Sequence, residues 1–299
     1  MTNDLSHERH ESPMLPAGLR ERVLAASRHA RAAGHCVPEV AEISPIEAFG
    51  RAAEAFDALL CILGEDDWHV PVVNLFDVQG LVGHLIAVEL DVHRCIRGDP
   101  DVTDLDHVES TRPIAFRHVG VPTDRTRTQW RQAIRRTQTL LDSMTNLDSE
   151  MTNLDSEVAV HGLRVSLGTL LIVRAFELWT HENDIRSAVA LAPRMPDGST
   201  LHLMTTVAAG SLPLAAARIG LSEPTQVRLV LTGAGGGTWD VALGAGPADA
   251  VAVRIVADAA AFCRLAANRV RPEELDVHLA GDVDRANRVL AAVSALALD

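Results

Sequence analysis

The spacing of apolar residues changes once along this chain, and that change limits the folds open to it. Up to about residue 190, apolar residues recur at helical intervals and no segment alternates convincingly in strand fashion. Past the punctuation of Pro193, Pro196, Asp197 and Gly198, alternating segments enter. A helical half followed by a mixed half predicts a helical bundle joined to a small α+β unit.

Local signals place the elements. Residues 18–33 read as a helix stopped by Gly34. Ser44-Pro45-Ile46-Glu47 opens the next, with Ser44 as cap, Pro45 in the first turn and Glu47 closing a capping box. It runs to about Leu63. Further helices are predicted over 77–96, with Gly98 as stop, over 124–143, and from the cap Ser166 to about Ala190. Residues 99–122, carrying His107 and His118, read as a long irregular connection. Beyond the punctuation, 201–219 is helix-like with Pro213 bending it. Strands are expected over 226–232, 238–243, 251–256 and 275–279, and helices over 258–268 and 282–298. The expected organisation is an extension with one helix (1–43), a helical bundle (44–195) and a small α+β domain (196–299). The heptad Met144–Glu150 recurs unchanged as Met151–Glu157, which reads as a duplication tolerated in a surface loop.

Composition narrows the function classes. Lys and Arg number 27 against 40 Asp and Glu, a net charge of −13. A chain this acidic is poorly suited to phosphate backbones or anionic lipid. Aromatics are 3% with no Tyr, so base-stacking platforms are not expected either. Cys36, Cys61, Cys95 and Cys263 form no Cys-x-x-Cys pair, which suggests reduced thiols. With a polar, His/Glu-rich start and no apolar run of membrane length, the expectation is a soluble cytoplasmic protein.

Chemistry gathers in the segment 174–186. Glu177 and His181 stand four apart in a helix, hence on one face, where a carboxylate and an imidazole can grip one divalent ion. The best third ligand is His84, on the 77–96 helix, in a stripe with Leu81, Val88, Asp91 and Cys95. Polar residues on such a stripe suit a site-facing surface. Facing bundle helices can aim inward side chains at one point. Two His and one Glu leave an open position, the ligand set of a catalytic ion; zinc is the first choice, with iron, nickel or manganese also compatible. Asp184 is placed to orient a ligand or to pair with a neighbouring helix. The Arg-rich side of 124–136 reads as a solvated face, and Cys95 as core.

Leu81-Val82-Gly83-His84-Leu85-Ile86, together with Arg174, Glu177, His181 and Asp184-Ile185 at their spacings, resembles the DinB-like superfamily of metal-binding bundles. It is more closely similar to the mycothiol-dependent maleylpyruvate isomerase family. The resemblance covers about residues 44–299 and implies a DinB-like four-helix bundle followed by a small, sterol-carrier-like α+β domain. It implies zinc on His84, Glu177 and His181, with mycothiol as thiol cosubstrate at the open position. It also implies an Arg from the C-terminal domain near the site; Arg269 is the most similar position, with Arg264 and Arg271 nearby. The expected activity is S-transfer or cis–trans isomerisation of a small electrophile, with no nucleic-acid or membrane partner. A non-catalytic metal-binding or partner-binding module, suggested by the N-terminal extension, is the alternative.

Overall fold

Polar caps start the helices that frame the site, as a computed structural model shows for residues 40–73, 76–99, 107–147, 154–246 and 251–297. Helix α1 (Pro45–Ile62) is capped by Ser44, whose Oγ accepts from the Glu47 amide at 3.1 Å. The Glu47 carboxylate turns to Arg51 instead of back to the cap. Helix α2 (Val78–Ile96) is capped by Asp77, which accepts from the Gly80 amide at 2.7 Å. It is buried on most sides and forms the centre of the helical half. Helix α4 (Thr123–Leu147) and helix α5 (Leu167–Ala188), capped by Ser166, pack around it.

Residues 107–118 are helix α3 (His107–His118), a correction to the irregular connection expected there. The segment is polar and contains Pro113, so local preference argues against helix. Packing decides the matter. Ala115 is fully buried against α2, where Gly83 admits it: a Cβ at Gly83 would lie 3.0 Å from the Ala115 Cα and carbonyl oxygen. Gly83→Val should therefore push α3 off α2, and urea unfolding should show a loss of about 1–3 kcal/mol. An unchanged midpoint would mean that α3 owes nothing to this approach.

The helical half also contains strands that the apolar spacing did not reveal. They form antiparallel hairpins, β1 (Pro71–Val73) with β2 (Phe76–Asp77), and β3 (Glu157–Val160) with β4 (Leu163–Ser166). At two to four residues each, they are too short to show a period. The second hairpin turns on His161 and Gly162, with φ of 50° and 72°, as a two-residue turn of the right twist requires.

Helix α6 (Gly198–Arg218) begins the second half, capped by Asp197. The sheet follows: β5 (Thr225–Thr232), β6 (Gly237–Leu243), β7 (Val251–Asp258) and β8 (Val277–Gly281), in the order β6-β5-β7-β8. Strands β5 and β7 are parallel; the outer pairs are antiparallel. Helices α7 (Ala259–Ala266) and α8 (Val283–Ser294) complete the unit. Every strand and helix expected beyond residue 200 is present, within a few residues of its bounds. Helix α6 is the one helix among the described residues long and apolar enough to cross a membrane, but half of that window is buried inside the protein. Leu201, Met204, Ala208 and Leu212 are the buried face. One hydrophobic core runs from Phe49 and Trp130 through Leu178 and Leu201 to Val289. The helix expected over 18–33 and most of the heptad repeat lie outside the described residues.

Candidate metal centre

Helices α2 and α5 bring His84, Glu177 and His181 together. One ligand atom from each lies within 4.8 Å of the others. His84 and His181 are buried and Glu177 nearly so. The Nε2 of His84 stands 3.4 Å from Glu177 Oε1.

The surrounding hydrogen bonds fix which nitrogen of each ring is free. Asp184 Oδ2 lies 2.9 Å from His181 Nδ1, and a carboxylate only accepts, so Nδ1 carries the proton and Nε2 keeps its lone pair. Thr111 Oγ1 lies 2.8 Å from the His107 carbonyl, which takes the hydroxyl proton. The same hydroxyl then accepts from His84 Nδ1 at 2.7 Å, and His84 Nε2 is left bare. Oriented imidazoles of this kind are the usual support of a metal site. Asp184 is held in turn by Arg269, whose Nε and Nη2 each reach one of its oxygens at 2.9 Å.

Glu177 is anchored from behind. Arg174, 1% exposed, bonds Glu177 Oε2 through Nη1 and Glu89 Oε1 through Nε. Glu89 also accepts from Thr137 at 3.0 Å. Burial pushes the Glu177 carboxyl up, but the Arg174 guanidinium, and after it His107, more than reverse this, so it sits well below the usual range. Asp184 is likewise lowered against its burial by His181 and Arg269. Burial lowers His84, which keeps the imidazole neutral and able to ligate. Glu177 Oε1 is buried and without a hydrogen-bond partner among the described residues. A bare carboxylate oxygen facing bare imidazole nitrogens fits a cation, since an orphaned buried acceptor is costly.

His107 and His161 were not anticipated. His107 Nε2 stands 3.4 Å from Glu177 Oε1. Its Nδ1 meets His161 Nδ1 at 3.1 Å, and His161 Nε2 reaches Asp91 Oδ2 at 3.1 Å. His161 stands outside any i,i+4 pattern, at a positive φ that His tolerates better than most residues. A His-Gly pair between apolar alternating residues was the signal for its turn. Asp91 was legible as a polar member of the His84 stripe. His118 lies elsewhere, bonded to Thr126. On the Arg-rich helix, Arg131 pairs with Asp57 of α1, while Arg135 and Arg136 are exposed.

A cavity of about 190 Å³ opens beside Glu177 and His181, between α5, α6 and the end of α7. His107 and Arg269 border it, and Val173, Phe176, Val207 and Leu214 give it apolar walls. None of the described cysteines lines it. Burial pushes the Cys95 and Cys263 thiols up, away from the reactive thiolate.

Comparison with known proteins places these features in context. The sequence model described as the mycothiol maleylpyruvate isomerase N-terminal domain matches residues 49–186. The crystal structure of the mycothiol-dependent maleylpyruvate isomerase is similar over 78% of this chain and 91% of its own, at 13% identity and a TM-score of 0.54. A histidine-to-alanine mutant of that enzyme gives a TM-score of 0.53 over the same shares, again at 13% identity. At such identity the likeness concerns the fold. No curated protein sequence matches the chain.

Proposed function

Residues 49–186 of this chain belong to the mycothiol maleylpyruvate isomerase N-terminal domain family, and on that premise we propose a metal-dependent enzyme that uses a low-molecular-weight thiol of the mycothiol type. The reaction is cis–trans isomerisation or S-transfer on a small electrophile. The observation that carries the reading is Glu177 Oε1, buried and unpartnered beside the bare Nε2 of His84, with His181 in reach. Zinc is the proposed ion. When bound, it lowers the pKa of a thiol at its open position and so supplies the thiolate, the nucleophilic form.

The residues of the chain have separable tasks. His84, Glu177 and His181 hold the ion. Thr111 and Asp184 fix the tautomers of the two imidazoles. Arg174 balances the second oxygen of Glu177 and leaves the first turned to the ion. Arg269 positions Asp184. Val173, Phe176 and Val207 give a bound thiol an apolar surrounding. The protein's own described thiols stay out of the cavity, which favours a thiol brought from solution. A cytoplasmic setting, where such thiols are reduced, suits this chemistry. The division into a bundle (44–195) and an α+β domain (196–299) is part of the same proposal, with the cavity at their junction.

Metal analysis of the purified protein tests the reading. About one zinc per chain is expected for a single site of this type. His84→Ala and His181→Ala should lose that zinc together with thiol-transfer activity, at unchanged circular dichroism. Full activity in both metal-free variants would sink it.

A further inference from the structure

The cavity beside the metal centre is long, apolar and charged at its far end. Helix α5 lines it with Thr169, Val173, Phe176, Glu177, Thr180 and His181. Helix α6 lines it with Val207, Ala208, Ser211, Leu214 and Arg218. Arg218 lies eleven positions after Val207, which is about 16 Å of helix at 1.5 Å per residue. Thr200 and Met204 share a neighbouring cleft with Trp179 and Glu182, so α6 runs back along α5. Arg218 therefore lies at the end away from His181.

Along the middle of the cavity, Thr180 and Ser211 offer little to a polar ligand. The Thr180 hydroxyl donates to the Phe176 carbonyl at 2.9 Å, and Ser211 donates to Val207 at 2.8 Å. Both protons stay within their own helices. Arg269 is engaged too: Nε and Nη2 clasp Asp184, and Nη1 donates to the Ala267 carbonyl at 2.8 Å. It is poorly placed to clamp a substrate carboxylate as well. Arg218 is different. It is exposed, and no hydrogen bond or ion pair engages it among the described residues.

We propose that the electrophile of this enzyme is an amphipathic monocarboxylate. Its apolar body lies along α5 and α6, its carboxylate meets Arg218, and its reactive carbon reaches the Glu177–His181 end. The inference rests on the metal-and-thiol reading for which end reacts, but the cavity alone decides what binds. A dicarboxylate too short to span the cavity is disfavoured, because its second charge would be desolvated between Val173 and Phe176.

Calorimetric titration of the full-length, zinc-loaded protein tests this, with hexanoate, octanoate and decanoate set against the diacids of equal length. Affinity should rise along the monoacids by up to about fourfold per methylene, the fold-change of a fully buried CH₂. With the metal chelated, so that no second carboxylate can be held by the ion, each monoacid should bind more tightly than its diacid. Arg218→Gln should weaken octanoate binding about tenfold, as loss of a charge-assisted hydrogen bond does, and leave octanol binding unchanged. Val173→Trp, which fills the cavity, should abolish the length dependence. Diacids binding as tightly as monoacids to the metal-free protein, or an Arg218→Gln variant equal to wild type, would overturn the proposal. The series is repeated with the metal chelated: absent zinc uptake counts against the metal reading, whereas a flat length series counts against the amphipathic substrate.

Discussion

Arg174→Leu is expected to lower the stability of the protein by about 3–5 kcal/mol, the loss typical when one partner of a buried ion pair is removed. Arg174 is 1% exposed and faces two carboxylates, Glu89 and Glu177. Leucine would leave Glu89 with only Thr137 among the described residues, and Glu177 without the guanidinium at its second oxygen. Urea unfolding followed by circular dichroism measures the loss. The double variant Arg174→Leu/Glu89→Leu should regain much of it, because an apolar pair can replace a buried ion pair at little net cost. Its metal affinity should stay low, since Glu177 still lacks the group that holds its second oxygen. A single variant as stable as wild type would refute this account of the helical core.

Asp184→Asn should weaken metal binding by about 10–100-fold, the range found for partners of metal-bound histidines. Asparagine can still accept from His181 Nδ1, but it lacks the charge that makes the ring a better donor. It also loses the paired bonds from Arg269. Competition with a zinc chelator reads the affinity directly. Arg269→Gln should produce a smaller shift in the same direction, because it acts on His181 only through Asp184. Equal affinities in all three proteins would remove Asp184 from the site.

Much of this arrangement was legible in the amino-acid sequence, and the misses share a cause. Ser44, Asp77 and Ser166 start their helices by satisfying the amide three residues ahead, a strictly local effect. Glu177 and His181 were legible because helical spacing alone puts them on one face. His84 needed only the bundle to bring α2 against α5. Helix α3 was not legible, since it packs on Gly83, more than twenty residues upstream. His107 and His161 were missed with it, because a turn and a packed polar helix, not a spacing, carry them to the site. The proximity of Arg269 was anticipated from family resemblance, but its engagement by Asp184 was not.

The clasp between Asp184 and Arg269 also joins two parts of the chain made at different times, 85 positions apart. A growing chain acquires His84, Glu177 and His181 well before residue 269 has been added. Until the last third emerges from the ribosome, Asp184 lacks the partner that holds it toward His181. On the proposed metal reading, a chain truncated before residue 269 would hold the ion less tightly than the full chain, because Asp184 would lack the group that steadies it against His181.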